Sequence, residues 1–139
     1  MVSLHLLQRI YGTMISAAPD PIAARAVVDR AESTIGISDL CEFCSIMLAV
    51  PATIACADSG DIPHAHHHLA VAERSAKLWS GTAWEAGLVE ARAHVAIAEL
   101  DPVTGELLLA NAAEQFDLVG HPLDAERCRR GVEVASPNS

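Results

Sequence analysis

Three stretches of this chain share one pattern of small residues at nearly equal intervals. They read Asp20-x3-Ala24-x3-Val28-x2-Ala31, Asp61-x3-Ala65-x3-Leu69-x2-Ala72 and Asp101-x3-Gly105-x3-Leu109-x2-Ala112, and their aspartates lie 41 and then 40 residues apart. Steps of three and four place the small positions on one face of a helix. Recurrence at a period between about 20 and 50 residues is what stacked helical units produce, each burying its apolar face on the next. The repeat therefore predicts an all-α chain folded as an α-solenoid.

The segments between the repeats agree with this. Breaks at Pro19-Asp20, Gly36, Ser59-Gly60-Asp61, Ser80-Gly81, Asp101-Pro102 and Gly120-His121-Pro122 leave seven stretches of helical length. We read helices near residues 3–18, 21–35, 39–58, 62–79, 83–100, 103–119 and 122–135. Asp20 before Pro21 and Asp101 before Pro102 place an N-cap ahead of a first-turn proline, and Asp61 with Pro63 is a looser version. Asp39 with Glu42, and Thr82 with Glu85, have the spacing of a capping box. The helices pair as first with second, third with fourth and fifth with sixth, in antiparallel fashion and a right-handed stack. The seventh reads as a cap, since solenoids need a polar terminal face to stay soluble. Residues 1–135 are expected to form a single domain and 136–139 a frayed tail.

Composition narrows the function classes. Apolar residues make up 51% of the chain but aromatics only 4%, so the core must be built from Ala, Leu, Val and Ile, which suits close helix contact. A formal charge of −9 opposes the counterion-release attraction that direct nucleic-acid binding requires. The longest nearly uncharged run, Phe43 to Ala57, is too short to span a membrane and reads as a buried helix. The N-terminal stretch lacks the basic flank and small-residue cleavage site of a signal peptide, so a cytoplasmic location is expected, with reduced cysteines. No nucleophile elbow, Gly-rich phosphate loop or HExxH pattern is present, and no enzymatic activity is expected.

Small residues at the repeated positions of the second helix, with Gly12, Thr53 and Ala93 each eight residues before the repeated Asp on the first, resemble the tetratricopeptide repeat. The period near 40 is similar to that of the MalT-like signalling regions of large actinobacterial LuxR-type transcriptional regulators. Cys41-Glu42-Phe43-Cys44 leading into Leu48-Ala49-Val50-Pro51, then Gly81-Thr82-Ala83-Trp84-Glu85-Ala86, then Gly120 to Cys128, carry that second likeness. The resemblance implies a sensing or protein-interaction module, and no cofactor is expected. It implies further that the first helix of each pair lines a concave groove. That groove would present Arg9 and Thr13, then Met47, Val50 and Ile54, then Gly87, Glu90 and His94, to a protein or peptide partner or a small-molecule effector. Self-association as a homodimer is a further expectation.

A metal- or redox-sensing role is the alternative. Cys41 and Cys44 stand three apart in what reads as the first turn of the third helix, where a positive helix end favours thiolate, and Cys56 follows on the same helix. His64, His66, His67 and His68 crowd the start of the fourth, and His64 and His68 share a face as two imidazoles clasping a metal would. Structural zinc takes four ligands, however, and no second Cys-x2-Cys exists. The reading adopted is buried small cysteines beside a mostly solvated histidine face, with no resident metal. Pro51 is expected to kink the third helix, and Trp79 and Trp84 to fill the joint between the second and third repeats.

Overall fold

The computed structural model describes residues 2–35 and 43–135, with the side chains of the first few and of the last of these left aside. Seven helices make up the described residues, and no strand occurs among them: α1 (Val2–Ala17), α2 (Pro21–Ile35), α3 (Ile46–Asp58), α4 (Ile62–Ala76), α5 (Ala83–Ala98), α6 (Pro102–Leu118) and α7 (Pro122–Ala135). None is long and apolar enough to cross a membrane.

The repeated aspartates act at the helix starts. Asp20, Asp61 and Asp101 each accept a hydrogen bond through Oδ1 from the backbone N–H three residues on, that of Ala23, His64 and Thr104. Each satisfies one of the amide groups left free by the first turn. The remaining repeat positions, Ala24, Val28 and Ala31, then Ala65, Leu69 and Ala72, then Gly105, Leu109 and Ala112, are all buried. Gly105 shows why size matters, since a Cβ there would come within 2.4 Å of Ile97 Cγ1.

The helix ends repeat as well. In α3, α5 and α6 the chain closes through a hydrogen bond from Asp61, Asp101 and His121 N–H to the carbonyls of Cys56, Ala96 and Phe116. This Schellman closure needs one residue in the left-handed region. Gly60 and Gly120 supply it without steric cost, but at the equivalent place in α5 stands Leu100, with φ of +66°.

α3 is the central element. It packs on α1, α2, α4 and α5, and it is buried on nearly every side from Ile46 to Ala57, as an all-round apolar helix must be. α5 continues the chain of contacts to α6, and α6 to α7. Leu88, Ala91 and Val95 of α5 belong to the apolar cluster around α3, while Ala86, Val89 and Ala93 belong to a second one with α6 and α7.

The start of α3 differs from the expectation. The helix begins at Ile46, not near residue 39, and Cys44 lies in the turn that precedes it. Ser45 at the cap position makes no side-chain capping bond, and the Ile46 N–H is satisfied by Ser75 Oγ of α4 instead. A tertiary partner thus replaces the local cap. The Asp39–Glu42 capping box, Cys41 and the tail 136–139 lie outside the described residues. α4 and α5 end earlier than their sequence signals, at Ala76 and Ala98.

Candidate functional site

A groove of about 810 Å³ opens among the described residues. All eight residues expected on such a wall, Arg9, Thr13, Met47, Val50, Ile54, Gly87, Glu90 and His94, line it. They come from α1, α3 and α5, and α7 adds Asp124 and Arg127. The volume lies within the range of small-molecule and short-peptide sites.

Helix geometry explains the placement. Met47, Val50 and Ile54 recur at steps of three and four, so one face of α3 carries all three, and Pro51 sits between them. Gly87 leaves room on α5, where a Cβ would meet Val50 Cγ1 at 3.4 Å. Trp84, one turn before, forms the apolar end of the wall. Its ring meets Trp79 edge-on at 6.4 Å, and Trp79 stacks on Phe43 at 4.3 Å while donating Nε1–H to the Phe43 carbonyl. The aromatic joint thus extends beyond the two tryptophans to the turn before α3.

The polar part of the groove includes two pairs that join different helices. Glu90, 4% exposed, receives Arg127 Nε on Oε2 at 2.8 Å and Nη2 on Oε1 at 2.7 Å. Arg127 also reaches Asp124 and lies over the Phe116 ring at 5.8 Å. Its guanidinium pKa is raised, chiefly by the bond to Glu90. A bidentate fork is the arrangement that best holds a buried carboxylate charged. His94 Nδ1 lies 2.7 Å from Asp58 Oδ1. Burial pulls the His94 pKa down, but the hydrogen bond and charge of Asp58, aided by Glu90, outweigh it and hold the imidazole above its ordinary value, with Arg127 opposing.

Neither pair is local in sequence. Asp58 and His94 are 36 residues apart, Glu90 and Arg127 are 37. That is one repeat less one helical turn, the offset at which residues on successive equivalent helices face each other. Glu32 with His68 and Arg25 with Asp61 show the same offset between α2 and α4 with its cap. Complementary charges at period minus four were thus the available signal for Arg127 and Asp58.

The other candidates are placed differently. Cys44, Cys56 and Cys128 are buried and unbridged. Burial pushes the Cys56 and Cys128 thiols up to about 12, more than Arg25 or Arg127 offsets, which makes them poor nucleophiles and poor metal ligands at neutral pH. Cys44 does not lie on a helix first turn, so the thiolate-stabilising placement expected for it does not apply. Among the histidines, His66 and His67 are exposed and His64 is partly so, whereas His68 points inward and is 8% exposed. Its Nε2 lies 2.8 Å from Glu32 Oε1, and Glu32 also approaches His64 at 3.6 Å. Burial holds the His68 pKa below its ordinary value despite Glu32. Among the described residues no group of three or more His, Cys, Asp or Glu is arranged to hold a metal ion.

No family model, curated protein sequence or solved structure matches this chain.

Proposed function

We propose that the chain is a non-catalytic interaction or effector-sensing module whose binding surface is the groove of α1, α3, α5 and α7. The observation that carries this reading is the groove itself: an apolar wall of Met47, Val50, Ile54 and Trp84 beside fixed polar groups, in one concavity of ligand size. Under this reading the seven helices form a tetratricopeptide-like α-solenoid of three antiparallel pairs with α7 as cap. The recurring caps, the recurring buried small positions and the side-chain pairs one repeat apart support that arrangement. The sequence likeness to the signalling region of LuxR-type regulators supports a role in signal-dependent assembly. The polar groups of the groove favour binding over chemistry, because Glu90, Asp124 and His94 are already engaged in hydrogen-bonded pairs with Arg127 and Asp58.

The test is Ile54→Glu, which sets a charge on the apolar wall at a half-buried site. A protein or peptide partner isolated with the native chain is expected to be lost by a variant that retains the native helical content. Retention of the partner by the folded variant would place the interaction on another surface.

A further inference from the structure

We infer that the occupant of this groove is a basic amphipathic segment of a partner protein, which rests on the groove being the binding surface. Its apolar side chains would meet Met47, Ile54 and Trp84, and its lysine or arginine groups would meet Asp20 and Asp58. The first ground is the state of the carboxylates. Four acidic side chains, Asp20, Asp58, Glu90 and Asp124, line the groove. Glu90 has both oxygens taken by Arg127, and Asp124 is shared between Arg127 and His121. Asp20 uses Oδ1 to cap α2, and Asp58 uses Oδ1 for His94. For each of these two, Oδ2 has no protein donor among the described residues, so each can accept an incoming cation without giving up its present bond.

The second ground is position. Asp58 is the last residue of α3, at the helix end that carries partial negative charge, and Asp20, the cap of α2, lines the same groove. The apolar residues Met47, Val50 and Ile54 lie on the turns of α3 that precede Asp58. An apolar stripe that leads to an anionic rim complements a helix with an apolar face flanked by basic side chains. The third ground is the field: a chain of charge −9 attracts cationic partners at long range and repels a second copy of itself. Arg9 is the opposing feature, a groove guanidinium with no ion pair among the described residues, and it makes the proposal decidable.

The experiment uses the full chain and two labelled peptides of about 16 residues with the same leucine face, one with lysines on the polar face and one with glutamates. Fluorescence anisotropy at low salt should show the lysine peptide binding at least about tenfold tighter, with the advantage shrinking near about 0.5 M salt. Asp20→Asn with Asp58→Asn keeps the cap and the hydrogen-bond acceptor while removing charge, and should erase most of that preference. Ile54→Ala should weaken both peptides. Equal binding of both peptides, lost in Ile54→Ala, would overturn the basic occupant and leave the groove reading intact. Tighter binding of the glutamate peptide, lost in Arg9→Ala, would overturn it in favour of an acidic partner. Binding of neither, or binding indifferent to Ile54→Ala, would overturn both readings.

Discussion

A Cβ added to Gly12 would stand 2.1 Å from the carbonyl oxygen of Met47, so α1 rests directly on the backbone of α3 at this point. That carbonyl is the one Pro51 leaves without its partner, because proline has no N–H to offer four residues on. The glycine and the proline belong together. Proline frees a carbonyl in a buried helix, and glycine lets the neighbouring helix come close enough for its Cα–H to face that oxygen. Gly12→Ala should push α1 off α3 and destabilise the fold by about 1–3 kcal/mol, read as a lower urea midpoint with unchanged slope. An unchanged midpoint would mean that α1 can shift at no cost.

Leu100 gives a prediction of opposite sign. It occupies the left-handed position that Gly60 and Gly120 hold in the equivalent closures, and it is 89% exposed, so its side chain contributes little packing. Leu100→Gly should raise stability by roughly 0.5–1 kcal/mol by relieving backbone strain, visible as a higher Tm.

These two cases show what was legible in the chain. Helix caps, buried small positions and the face of α3 follow from local chemistry, so Asp20, Asp61 and Asp101 and the nine buried repeat positions could be read directly. The beginning of α3 could not, because its first amide is held by Ser75, a residue 29 positions away. The groove residues on α1, α3 and α5 were read from the resemblance, which implies that the first helix of each pair lines the concave side. Asp58 and Arg127, which define its polar end, were not recognised because their partners stand one repeat away, and only the period shows who meets whom.

The Glu90–Arg127 pair should behave as a buried carboxylate held by a half-exposed cation. Arg127→Ala leaves Glu90 buried without its donors and should cost about 2 kcal/mol, less than for a fully buried pair because solvent reaches the arginine side. Adding Glu90→Gln to that variant should restore part of the loss, measured by a double-mutant cycle in urea.

Stability should depend on pH through two histidines of opposite sign. His94, raised above 6.5, stabilises the fold fully below that value, and its contribution is lost as pH rises through the folded pKa. His68, lowered below 6.5, contributes above that value and loses its contribution as pH falls towards the folded pKa. Urea midpoints between about pH 5 and 8 should therefore lose a component falling with pH in His94→Gln and one rising with pH in His68→Gln. Identical pH profiles for both variants would show that neither imidazole is coupled to folding.

The most direct test of the central claim is amide chemical-shift mapping of the labelled chain with the lysine-faced amphipathic peptide. The groove account predicts that the largest perturbations fall on Thr13, Val50, Ile54, Gly87 and His94, which share its wall. Perturbations confined to exposed positions of α6 such as Val103 and Leu107, or none at saturating peptide, would contradict it.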